Sequence, residues 1–166
     1  MRVTRLSLMG TGVAALLGAA LFAQRETVHK PGPTDKIMVI TSAEVDAAGQ
    51  QLAATKKATN QFVHEDKYNF EVRRLVGRQP ILMHVRKSDF MVIREGEGTY
   101  QYGGKLVDPK PGGGGDEGDM HADSVTGGMT RVLKPGDVIF VPAGLPHGFV
   151  EIKDHITFIM TRYDTK

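Results

Sequence analysis

The sequence predicts an all-β domain carrying one N-terminal amphipathic helix. Two observations lead there. From Tyr68 onward, short runs of β-branched and aromatic residues alternate with turn-forming clusters. Before Tyr68, one segment has the 3.6-residue period of a helix. Many short strands joined at regular turn signals close into a sandwich or a barrel.

Residues 1–23 read as an export signal. Arg2 and Arg5 form a short positive region, and Leu6 to Ala23 is uncharged and apolar. Cleavage after Ala23, or after Ala20, predicts a periplasmic or secreted protein with no stable membrane insertion. The alternative is an N-terminal membrane anchor, because the apolar run is just long enough to span a bilayer. Residues 24–36 are polar with two prolines and read as a flexible tether. Residues 37–166 are enough for a single domain with a modest core.

Within that domain, Ile37–Ile40 reads as a short strand. Thr41 to Glu44 fits a capping box, in which the Thr41 hydroxyl and the Glu44 carboxylate satisfy orphan helix donors. Val45, Ala48, Leu52 and Ala53 then recur at helical spacing through about Lys57. The predicted strands are Tyr68–Leu75, Ile81–Val85, Phe90–Arg94, Gly98–Tyr102, Thr130–Lys134, Val138–Val141, Gly148–Lys153 and Thr157–Tyr163. Residues 107–128 break the rhythm. They are Gly-rich with few apolar side chains, and are predicted as a flexible insert, the alternative being a lid.

Composition excludes several functions. The absence of cysteine rules out disulfides, thiolate nucleophiles and Cys-based zinc sites. Lys and Arg number 21 against 19 Asp and Glu, and loss of Arg2 and Arg5 with the leader leaves 19 against 19. A neutral mature chain carries no electrostatic footprint for nucleic acid or an acidic membrane.

The chemistry concentrates in GDVIFVPAGLPHGFV, Gly136 to Val150. Lys134-Pro135-Gly136-Asp137 launches a strand, Pro142 ends its ladder, and Gly144 allows the positive φ of a sharp corner. His147 then opens the return strand, where its imidazole can point into the barrel.

This stretch resembles the second signature of the cupin superfamily, G-x5-P-x-G-x2-H-x3-N, with Glu151 in the place of Asn. Upstream, MHVRKSDFMVIREGEGTYQYGG is similar to the first signature, G-x5-H-x-H-x3–4-E-x6-G. Gly96 anchors its end, Asp89 stands where cupins carry Glu, His84 matches the second histidine, and Leu82 takes the place of the first. The expected leading Gly falls on Val76, beside Gly77. The resemblance covers about Tyr68 to Tyr163. It implies a cupin-type double-stranded β-helix (jelly-roll) barrel.

In metal-bearing cupins three His and one Glu hold a divalent ion inside the barrel. By resemblance, the metal ligands here are His84, Asp89 and His147, and the ion is Fe, Mn, Ni or Zn. Two His and one carboxylate hold such an ion with positions open for substrate or oxygen. A replacement ligand is available in His121 on the insert, whose plainer reading is a solvated side chain, and Arg86 is placed as an anion clamp rather than a ligand. Plainer readings stand beside these: Asp89 as a turn-forming side chain, His84 as a satisfied interior histidine, His147 as a remnant of the fold.

If His84 faces inward, period-two alternation puts Leu82 and Arg86 on its face and lines the pocket with Met91, Ile93, Tyr100 and Phe149. Arg73 and Arg74 adjoin on one strand, so one of them looks inward. Such a cavity suits a small organic ligand with an anionic or hydroxyl group.

Three functions remain open. The first is a metal-dependent oxygenase, isomerase or decarboxylase. The second is a metal-free, non-catalytic binder of a sugar or aromatic acid. The third is an accessory protein pairing through a strand edge. The resemblance implies a homodimer.

Overall fold

The computed structural model describes residues 29–166. The export signal and the first part of the tether lie outside the described residues. Among the described residues, no helix is long and apolar enough to cross a membrane.

Among the described residues the single helix, α1, spans Ser42–Thr55. Both halves of the capping box form: the Glu44 N–H donates to the Thr41 hydroxyl at 3.3 Å, and the Thr41 N–H donates to the Glu44 carboxylate at 2.8 Å. Val45, Ala48, Gly49 and Leu52 are buried, while Ala53 faces solvent. Ile37–Ile40 is not a strand, and Ile37 and Val39 are exposed.

Eleven strands follow: β1 Thr59–His64, β2 Tyr68–Leu75, β3 Ile81–Met83, β4 Lys87–Tyr102, β5 Lys105–Leu106, β6 Lys110–Pro111, β7 Met120–Ala122, β8 Val125–Thr126, β9 Met129–Leu133, β10 Val138–Val141 and β11 His147–Asp164. Two pairs of predicted strands are thus single long ones. Residues 90–94 and 98–102 belong to β4, and residues 148–153 and 157–163 belong to β11. β1 escapes the sequence reading because TNQFVH has little apolar alternation.

β4 and β11 pair antiparallel along almost their whole length, with the register shifting between Ile152 and Ile156 opposite Gly96. This irregularity folds the nine-stranded sheet on itself. On one side of it the order is β1-β2-β11-β4-β10, and on the other β6-β7-β3-β11-β4-β9. The two halves face each other as a jelly roll.

Period-two alternation divides β2 cleanly. Val72 packs outward against Val45, Ala48 and Leu52 of α1. Glu71, Arg73 and Leu75 occupy the alternate positions and turn to the lumen with Asp89, Met91 and Ile93 of β4 and Phe158, Met160 and Arg162 of β11. The lumen core is completed by Tyr100, Leu133, Val141, Phe149, Ile152 and Ile156.

The insert over residues 107–128 differs from its expectation. It contains β6, β7 and β8 and is pinned by pairing: β7 lies against β3, and β8 against β5. Glycine-rich composition lowers local propensity, but partners on the barrel supply the order that the segment lacks alone.

Candidate metal centre

Two turns bring two imidazoles together. His84 follows β3, and His147 begins β11 after the Pro142–Pro146 corner. Gly144 adopts φ +89°, as the corner requires, and its N–H donates to the His84 carbonyl at 2.7 Å. The Ala143 N–H donates to the Ser88 hydroxyl at 3.0 Å. The corner is therefore tied to the start of β4, and the two rings lie 5.3 Å apart between centroids.

Each imidazole is held through Nδ1. His84 Nδ1 is 3.0 Å from Asp119 Oδ2, and His147 Nδ1 is 2.8 Å from the Leu145 carbonyl. Both partners are pure acceptors, so hydrogen-bonding logic assigns the proton to Nδ1 and leaves a lone pair on Nε2. His147 Nε2 lies 3.4 Å and His84 Nε2 3.9 Å from Asp89 Oδ2. The ligand atoms of His84, Asp89 and His147 all fall within 4.8 Å of one another, and all three residues are buried.

Asp119 is the support that sequence reasoning missed. It precedes β7, whose Met120 pairs with Met83 of β3, so the ladder carries Asp119 to His84. Its other oxygen accepts from the Val85 N–H at 3.0 Å. Gly114 packs directly above: a methyl group there would overlap Asp119 Oδ2 and the His84 ring. The insert thus supplies the anchor for one of the two imidazoles.

Arg162 is the second missed residue. It stands opposite Asp89 in the β11–β4 register and grips it with two hydrogen bonds, Nε to Oδ1 at 2.6 Å and an Nη to Oδ2 at 2.8 Å. Phe158 and Met160 share its face, so alternation along β11 was the available signal. Asp89 is therefore a buried strand residue, not the turn-forming side chain of the plainer reading. Each of its oxygens keeps lone-pair capacity beyond Arg162.

Burial drives the electrostatics. It pushes the Asp89 carboxyl up, but the Arg162 hydrogen bonds and charge, joined by His147, outweigh it and hold the group below the usual carboxylate range. Burial, aided by Arg162, pushes His84 down to about 4 against the pull of Asp89 and Asp119. His84 is accordingly neutral near pH 7, with its Nε2 lone pair unprotonated. That atom is buried and has no hydrogen-bond partner.

A cavity of about 230 Å³ opens beside this cluster. Asp89, Met91, Tyr100, His147 and Phe149 line it, together with Arg73, Arg162 and His121. Arg73 is the inward member of the Arg73–Arg74 pair, whereas Arg74 turns to Glu95 at 2.9 Å. Arg86 is not at this cavity. β3 ends at Met83 and β4 begins at Lys87, so alternation does not run through the intervening turn, and Arg86 reaches the surface to pair with Asp164 at 2.8 Å. His121 is half-buried, with Nδ1 3.3 Å from the Gly112 carbonyl. A larger cavity of about 330 Å³ lies on the other side of Tyr100, among Tyr102, Leu133, Ile139 and Leu145. None of the three residues of the His–Asp–His cluster lines it.

The donor set fits a divalent cation. The Nε2 atoms of both imidazoles and a carboxylate oxygen converge toward a common point, a donor set of the kind that holds a divalent cation. The Nδ1 partners are of the kind that orient metal-binding histidines.

No family model matches the chain, and no curated protein matches it. Among solved structures, the chain is similar to BH2720 from Bacillus halodurans at 13% identity and TM-score 0.55, covering 82% of this chain and 87% of that one. Hydroquinone 1,2-dioxygenase PnpCD, solved with Cd2+ and 4-hydroxybenzonitrile, matches at 18% identity and TM-score 0.47, covering 84% and 88%. The cupin domain of Schizosaccharomyces pombe Cnp3 matches at 11% identity and TM-score 0.44, covering 64% of each chain. Two folded half-sheets closing on a lumen, with the signature corner at Pro142–His147, give this chain the cupin fold.

Proposed function

We propose that the chain holds a divalent metal ion through His84, His147 and Asp89 and presents it to a small organic ligand in the adjacent cavity. The observation that carries this is the convergence of two imidazoles, each fixed through Nδ1, on one carboxylate oxygen. Fe, Mn, Ni or Zn suits two imidazoles and a carboxylate. When bound, such an ion supplies Lewis acidity to a ligand oxygen. The chain's own residues do the rest. Asp119 and Leu145 fix the imidazoles, Arg162 fixes Asp89, and the apolar wall of Met91, Phe149 and Phe158 limits water. Oxygen insertion, isomerisation and decarboxylation are the reaction classes open to this arrangement.

One observation favours a second reading, a metal-free binding module. Arg162 already neutralises Asp89 through both oxygens, so the lumen is electrostatically satisfied at that carboxylate without an ion. Elemental analysis of untagged protein separates the two. Stoichiometric metal, absent from a His84→Ala/His147→Ala double variant, is the expected result. Metal-free wild-type protein whose melting temperature ignores chelator would overturn the metal reading. Export is proposed from residues 1–23 alone, and fractionation of the producing cell tests it.

A further inference from the structure

The cavity beside the His–Asp–His cluster contains a polar group that the proposed cation does not use. Tyr100 is buried at 3% exposure, and its hydroxyl has no hydrogen-bond partner. A buried phenol without an acceptor is a defect in a closed core, and a ligand acceptor corrects it. Phe149 packs edge-on against the Tyr100 ring at 4.8 Å, which holds the ring in place. The Arg73 side chain, 14% exposed, lies in the wall of the same cavity, with Nε 3.7 Å from Glu71 Oε1.

Charge points the same way. Three buried carboxylates, Asp89 in the cavity wall, Glu71 beside Arg73 and Asp119 on His84, stand against two guanidiniums, Arg73 and Arg162. The formal balance is one negative charge. A divalent ion turns it into one positive charge in a region of low dielectric, where a single anion restores neutrality. The remaining wall is mostly apolar, with Leu75, Leu82, Met91, Phe158 and Met160; its other polar side chains are His121 and Gln79, whose amide already donates to the Val76 and Gly77 carbonyls. That surface has few partners for the many hydroxyls of a sugar or for the oxygens of a phosphate.

We propose that the cavity takes a small monocarboxylate, its charged oxygens toward the Tyr100 hydroxyl and the Arg73 guanidinium and its apolar body against Leu75, Phe149, Phe158 and Met160. The charge balance rests on the cation reading above, whereas the contacts with Tyr100 and Arg73 do not.

The test uses matched acids and amides, benzoate with benzamide and isovalerate with isovaleramide. Binding is measured by calorimetry on chelator-treated and on Co2+-loaded protein. Each acid is expected to bind at least tenfold more tightly than its amide to the Co2+-loaded protein, with a smaller preference surviving after chelation. Tyr100→Phe removes a hydroxyl that has no partner in the ligand-free protein, so its melting temperature is expected to match or exceed that of wild type. Its affinity for the acids is expected to fall by roughly tenfold, in keeping with the loss of a hydrogen bond to a charged group. Arg73→Lys keeps the charge and is expected to keep part of the acid preference, whereas Arg73→Gln loses it.

Acids binding no better than amides, or a Tyr100→Phe variant with unchanged acid affinity, would overturn the proposal. Metal retained without any acid preference defeats this inference alone. An acid preference in protein that never takes up metal defeats the cation reading and leaves the pocket assignment standing.

Discussion

The two imidazoles of the site are held by opposite strategies. His147 is fixed by its own neighbourhood, where the carbonyl that accepts from its Nδ1 lies two residues back, at Leu145 within the Pro142–Pro146 corner. His84 is fixed from afar: Asp119 lies 35 residues away and is delivered by the glycine-rich insert. Main-chain support of the first kind survives most side-chain changes. Support of the second kind depends on the fold of a segment with little propensity of its own. The site is therefore robust on one side and sensitive on the other.

That asymmetry breaks most completely at the glycine of each support. Gly114→Ala forces a methyl group into Asp119 and the His84 ring, both buried and without room to retreat. A cost of about 3 kcal/mol and weakened metal retention are expected, read by denaturant unfolding and elemental analysis. Gly144→Val strains a φ of +89° but meets open space, its nearest contact being the Lys166 ammonium at 3.4 Å. The expected cost is about 2 kcal/mol, or roughly 5 °C in melting temperature, with metal retained once the protein is folded. A wild-type melting temperature for Gly144→Val would show that the corner is not built as described.

Asp119→Asn sharpens the comparison without crowding. The amide is nearly isosteric but supplies a weaker acceptor to His84, so metal affinity is expected to fall 10- to 100-fold in a Co2+ titration followed by visible absorbance. No side-chain change at Leu145 removes the corresponding acceptor for His147, and Leu145→Ala is expected to change affinity by less than threefold. Equal losses from the two substitutions would erase the distinction.

A separate effect is expected in the pH profile of metal-free protein. Folding lowers His84 from its ordinary 6.5 to about 4, chiefly by burial. Between those values the unfolded chain takes up a proton that the folded chain refuses. Stability contributed by the neutral imidazole is therefore full above about pH 6.5 and declines as the pH falls toward 4. A His84→Gln variant is expected to give a flatter curve over that window, measured by chemical denaturation in the presence of chelator.

The legibility of the molecule follows the same division. Local devices were readable. The capping box needs four consecutive residues, and β2 was bounded correctly by its own composition and flanking turns. The His147 corner is written in Pro142, Gly144 and Pro146. Devices set by strand register were not readable. Arg162 meets Asp89, and Asp119 meets His84, only because ladders distant in sequence align them. β7 was hidden because MHA carries no strand signal outside its pairing with β3. Arg86 was misassigned to the pocket because alternation was extended across a turn. Ile37–Ile40 was read as a strand from composition alone, and no neighbouring strand receives it.

β2 carries two independent messages. Of its outward residues Val72 packs against α1, Phe70 against Phe62 of β1, and Arg74 pairs with Glu95, while Arg73 and Leu75 line the cavity and Glu71 lies buried on their face. A slip of one residue would push charges beneath the helix and apolar groups into the cavity, so the register is enforced from both sides at once. It also follows that ligand preference can be rewritten at Arg73 and Leu75 while Val72, and with it the packing of α1, stays untouched. An engineer seeking a new guest for this barrel has a strand whose two margins can be edited separately.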